Sequence, residues 1–150
     1  MYQQLLKEHI DDKKAYGEQP QPPATKAQLQ ALRARAKKEL GVDLPAEYYR
    51  LLETTNGLDS NGVVIYASEA GPLVGYPDRP LDGLVEANLT WWELPAHKRY
   101  LFFGDAGMSL YAYDLEDHAY KVLDRQSNTV LEEFKTFEEL IHRALEENHP

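Results

Sequence analysis

The chain has 150 residues, 43% of them hydrophobic and 27% charged, with no cysteine and a net charge of −9. That length suits one ordinary domain with a sizeable core, and the absence of cysteine excludes a disulfide framework, thiolate metal ligation and a cysteine nucleophile. No apolar run is long enough to cross a bilayer, and the charged start (Lys7, Glu8, Asp11, Asp12, Lys13, Lys14) does not read as a signal peptide, so a cytoplasmic protein is expected.

Charge is uneven along the chain. Residues 1–50 carry nine Lys/Arg against seven Asp/Glu, and residues 51–150 carry seven against eighteen. An acidic body repels nucleic acid and disfavours direct DNA or RNA binding. It suits a basic protein partner, although solubility alone also accounts for acidity of this kind.

In chain order, Tyr2, Leu5, Leu6, His9 and Ile10 share one face and predict a short helix over residues 2–14. The proline-rich run 16–24 cannot continue it. The expected organisation is therefore an N-terminal helix and connector over 1–24, followed by one domain over 25–150. Thr25 and Gln28 form a candidate capping box, with Leu29, Leu32, Ala36 and Leu40 as a buried stripe and Gly41 as the C-cap. Pro45 opens the next helix, whose buried face is Leu44, Tyr48, Leu51, Leu52 and Thr55, and Asn56-Gly57 is read as its left-handed exit.

Beyond Gly57 the pattern changes. Val63–Tyr66 reads as a short strand entered through Ser60-Asn61-Gly62, residues 67–83 as a long Gly/Pro/Asp-rich loop, and 82–94 as a helix ended by Pro95. Strands follow at 99–104, 109–114, 119–124 and 130–134, joined by hairpin-sized links. Thr136 and Glu139 form a second capping box, before a C-terminal helix with Phe137, Leu140, Ile141, Ala144 and Leu145 as its apolar stripe. The order predicts an α+β domain: an antiparallel meander sheet with helices packed mainly on one face, the helices N-terminal and C-terminal to it.

The run Leu44-Pro45-x-x-Tyr48 with an Asn56-Gly57 exit resembles the signature of the SUKH superfamily, the Smi/Knr-type proteins. The second half is similar too, in Tyr100-Leu-Phe-Phe-Gly-Asp105, Tyr113-Asp-Leu115, Val122-Leu-Asp124 and Phe137-Glu-Glu-Leu140. The resemblance spans roughly residues 25–145 and implies the same α+β order. It also implies an immunity protein that binds a cognate bacterial toxin and neutralises it, or else a regulatory or scaffold module.

No catalytic, cofactor or metal site is expected from the residues. His9, His97, His118, His142 and His149 are scattered without metal-ligand spacing, and Gly104–Ser109 is not G-x-S-x-G. Phosphate-cradling glycine motifs are absent, and the adjacent acidic pairs point to different faces. A pocket lidded by 67–83 remains the alternative for a small ligand.

Ten tyrosines and two tryptophans favour protein contacts. Tyr111 and Tyr113 alternate with the smaller Leu110 and Ala112, so the tyrosines are expected on an open sheet face, rimmed by Asp105, Asp114, Glu116 and Asp117. Trp91 and Trp92 complete the candidate partner-binding set. The expected partner is a protein toxin, with neither nucleic acid nor membrane bound directly; acidity makes a basic, nuclease-like toxin a natural target, and a deaminase, ADP-ribosyltransferase or peptidase is equally compatible. The sequence leaves the oligomeric state open.

Overall fold

Side-chain caps open two of the α-helices, and turn residues mark several other element ends, in the computed structural model, which describes residues 1–149. Helix α1 (Gln3–Ala15) has no side-chain cap and depends on what its buried Leu6, His9 and Lys13 touch. The expected capping box opens α2 (Lys26–Arg35): Thr25 Oγ1 accepts from the Gln28 amide, and Gln28 Oε1 accepts from the Thr25 amide. This helix continues through a widened π-type turn, Ala36–Leu40, and closes at Gly41 in the left-handed conformation.

Pro45 is extended and precedes α3 (Ala46–Thr54), whose end differs from expectation. Thr55 is extended, and Asn56 does not adopt a positive φ. Its side chain instead accepts from the Ser68 amide (2.8 Å) and donates to Ser68 Oγ (3.0 Å). A distant polar partner therefore replaces the helix-ending role that the dipeptide suggested. Only Gly57, at φ 86°, is left-handed, and a Cβ there would stand 2.9 Å from the Ala67 Cβ.

Next come β1 (Leu58–Ser60) and β2 (Val63–Ile65), joined by Asn61 and Gly62 at φ 50° and 86°, the conformation of a two-residue hairpin turn. The residues read as the approach to one strand thus connect two. The expected long loop is also structured: β3 (Gly71–Leu73) and β4 (Tyr76–Leu81) pair antiparallel around Val74-Gly75. Pro72, Pro77 and Pro80 are compatible with this two-stranded ribbon because each strand has an unpaired edge needing no donor. The remaining elements are α4 (Leu84–Trp91), a 3₁₀ turn (Pro95–His97), β5 (Tyr100–Asp105), β6 (Ser109–Asp114), β7 (Ala119–Asp124), β8 (Val130–Phe134) and α5 (Phe137–Glu147). A capping box of Thr136 and Glu139 opens α5.

The chain divides into two compact units, one of Met1–Gln19, Asp59–Ile65 and Arg99 onward, the other of Pro20–Leu58 and Tyr66–Lys98. In the first, a six-stranded sheet has the order β1-β2-β5-β6-β7-β8, with β5 to β8 forming the antiparallel meander. The architecture is α+β. On one sheet face α5 buries Phe137, Leu140, Ile141, Ala144 and Leu145, where each large apolar side chain contributes roughly 2 kcal/mol of transfer free energy. Phe103 and Tyr120 from the sheet meet the Phe137 ring edge-on. Helix α1 docks on α5: the buried His9 hydrogen-bonds Ser60 Oγ at 2.8 Å and donates to the Leu145 carbonyl at 3.0 Å.

In the second unit, buried Tyr48 donates from its hydroxyl to the Tyr66 carbonyl at 2.6 Å. The end of α3 is bound to the proline-rich connector through Ala24 N to Leu52 O and Asn56 N to Pro22 O. Arg35 on α2 reaches Glu86 on α4 at 2.9 Å.

Candidate interaction surface

The β6–β7 hairpin is built around one carboxylate. Asp114 is fully buried and accepts from Arg99 (2.7 Å), from Lys121 (2.7 Å) and from the amides of Glu116 (2.9 Å) and Asp117 (3.0 Å). The two amide bonds shape the turn, and His118 completes it at φ 56°. Burial alone would raise the pKa of Asp114. The bonds from Arg99, Lys121 and the two amides outweigh it and hold the carboxyl below the usual carboxylate range. Lys121 is nearly as buried. Its burial would lower its pKa, but Asp114 and Asp117 raise it above the ordinary lysine value.

This cluster changes the meaning of the acidic rim. Asp114 is an internal clamp and presents nothing to a partner. Asp117 lies 2.6 Å from Lys121 and 3.4 Å from Arg99, and Glu116 lies 3.2 Å from Arg99. Asp105 belongs to the other end of β5 and pairs with Arg125 at 3.2 Å. The rim is thus partly neutralised from within, with Glu116 and Asp117 as its exposed members at the hairpin tip.

The tyrosines also sit differently from expectation. Tyr111 is buried and donates to Glu147 on α5 at 2.9 Å, so it faces the helix instead of an open surface. Burial, then Glu147, raises its pKa above the ordinary tyrosine value. Leu110 and Ala112 on the opposite face are buried as well. Both faces of β6 are therefore covered along most of its length, which the alternation of large and small residues could not reveal.

Tyr113 alone of the expected pair is half-exposed, its hydroxyl 3.3 Å from His118 Nδ1. The register sets it opposite Tyr120, and Tyr120 opposite Phe134, giving a row of three half-exposed rings across β6, β7 and β8. The Tyr113 and Tyr120 rings are 4.8 Å apart. Sequence reading missed Tyr120 and Phe134, since only strand register shows that they continue the row.

Trp91 and Trp92 lie in the second unit and are both half-exposed. Trp91 donates to the Tyr66 hydroxyl at 2.9 Å and meets His97 edge-on. The same unit holds a cavity of about 270 Å³ lined by Gln21, Gln28, Asn56, Glu69, Val74 and Leu81 among others. Its polar groups engage one another: Gln21 accepts from the Val74 amide, Gln28 donates to Glu69, and Asn56 holds Ser68. Among the described residues no group of three or more His, Asp or Glu is placed to hold a metal ion, and no helix is long and apolar enough to cross a membrane.

A family model described as the SMI1/KNR4 family (SUKH-1) matches residues 23–143. The chain belongs to that family. SUKH-1 membership supports a role of protein-interaction or immunity type. A crystal structure of a protein from Pseudomonas syringae pv. tomato is similar, with a TM-score of 0.54 and 18% identity over 85% of this chain and 86% of that one, a likeness of fold. No curated protein matches the chain. The residues that carried the sequence resemblance are largely scaffold: Tyr48, Asn56 and Gly57 all tie α3 to the segment 66–68.

Proposed function

We propose that this SUKH-1 protein is a non-catalytic immunity protein of the cytoplasm, which binds a cognate toxin one-to-one and covers the toxin's active site. The family match over residues 23–143 carries this reading. The excess of eighteen acidic over seven basic residues in 51–150 supports a basic target of nuclease type, by steering its approach. Tyr113, Glu116 and Asp117 at the β6–β7 hairpin are the favoured contact residues from the sequence-derived set. Trp91, Trp92 and Asp105 are secondary members, while Tyr111 and Asp114 act as supports beneath the surface.

The scaffold reading through a free proline-rich ligand segment is less favoured, because residues 22 and 24 are hydrogen-bonded to the end of α3. Affinity capture of the tagged chain from lysate of its source organism, washed at moderate salt, tests the proposal. One near-stoichiometric toxin domain supports it. Several substoichiometric partners point to a scaffold instead.

A further inference from the structure

Strand β8 is one of the two outer strands of the six-stranded sheet, with β1 at the other edge, and among the described residues it pairs with β7 alone. An outer antiparallel strand turns alternate N–H and C=O groups away from its neighbour, where a further strand can take them. Two large apolar side chains at its start, Val130 (44%) and Leu131 (52%), are well exposed. Neither is explained by the core or by the β6–β7 hairpin.

The charges on β8 select its occupant. Glu132 and Glu133 point to opposite faces. Glu132 is held by Arg143 at 2.6 Å. Glu133 lies 4.0 Å from Lys121, whose amine is already 2.7 Å from Asp114 and 2.6 Å from Asp117. Its charge is therefore only weakly answered from within. A second copy pairing antiparallel through the middle of this strand would set carboxylates against carboxylates, which destabilises a ladder. A cationic strand meets the opposite situation. Its basic side chains on one face reach Glu133, and apolar ones at the alternate positions lie beside Phe134 on the other.

We propose that the open edge of β8 receives an extended, cationic strand of the partner protein, adding a seventh strand to the sheet. The inference rests on the protein-binding function proposed above and assigns that function a surface. Backbone bonds supply the attachment, while Glu133 selects basic residues at alternate positions and Phe134 favours apolar ones between them.

The probe is a synthetic ten-residue peptide of alternating arginine and valine, added to the ¹⁵N-labelled full chain, with amide shifts and hydrogen exchange read by NMR. The expected result is shifts and slowed exchange at residues 130–134. Glu133→Lys should weaken binding roughly tenfold, with unchanged thermal unfolding showing that the variant is folded. A peptide with the same charge but a central proline pair, which cannot continue a ladder, should bind at least tenfold more weakly. Absence of protection at 130–134 at millimolar peptide, or equal binding of the proline peptide, overturns the proposal. A captured toxin whose affinity ignores Glu133→Lys overturns the edge site and leaves the immunity reading standing. Peptide binding at β8, with no toxin captured, does the reverse.

Discussion

Replacing Asp114 by alanine is the most informative perturbation of the framework that carries the hairpin. Its carboxylate is buried and accepts from Arg99, Lys121 and two backbone amides. Arg99 is about one-third exposed (35%), so it is left out of the sum, since solvent can replace its partner. The amides of Glu116 and Asp117 lie at the exposed hairpin tip and are left out likewise, whereas the lysine, at 6% exposure, loses a charge-assisted bond worth about 1.5–3 kcal/mol. Lys121 also becomes a buried cation with Asp117 as its nearest remaining partner. Breaking such a pair typically costs about 3–5 kcal/mol, so a loss near 4 kcal/mol is expected for Asp114→Ala.

Urea unfolding followed by circular dichroism reads this as a fall in midpoint of about 2 M, given typical denaturant slopes for a small domain. In a Lys121→Met background the same substitution should cost about half as much, because no orphaned ammonium remains. A loss under about 1 kcal/mol, or equal losses in both backgrounds, would refute the buried-clamp account. The pH dependence has the matching sign. Because the folded-state pKa of Asp114 lies below the unfolded value of 3.8, its contribution is present above that pH and is lost as pH falls further.

Three further outcomes follow from the packing. Tyr48→Phe leaves the Tyr66 carbonyl without its 2.6 Å donor and should lower stability by about 1–3 kcal/mol in denaturant unfolding. Gly57→Ala combines a left-handed φ of 86° with a contact 2.9 Å from the Ala67 Cβ, and should lower the thermal midpoint by several degrees, about 1–3 kcal/mol. For His9, burial lowers the folded-state pKa, so the unfolded chain binds a proton near pH 6.5 while the fold keeps the ring neutral. Stability should therefore decline as pH falls below about 6.5, and His9→Gln should flatten that slope in unfolding titrations between pH 7 and 5.

Periodicity and caps made much of this fold legible. Leu32, Ala36 and Leu40, then Phe137, Leu140 and Ile141, are buried at the spacing of a helix face, and both capping boxes form. The β3–β4 ribbon was hidden because its prolines resemble loop signals, and only pairing explains how they are accommodated. The candidate surface was harder to read for a related reason. Alternation separates Tyr111 from Leu110 but does not say which face a helix covers, and α5 covers the tyrosine side. Burial of Asp114 depends on Arg99 and Lys121 converging from neighbouring strands, and the Tyr113–Tyr120–Phe134 row depends on register across three strands. Such coincidences lie between segments, beyond the reach of local pattern.

Stoichiometric neutralisation is tested most directly by an activity titration. The protein captured by this chain would be purified, its toxic activity assayed at a fixed concentration well above the dissociation constant, and this chain added in steps. The immunity account predicts a linear fall that reaches zero at one equivalent, with Glu116→Lys slowing the approach to inhibition at low salt. Activity that persists past several equivalents would contradict it, as would complete loss at a small fraction of one equivalent, which is the mark of a catalytic modifier.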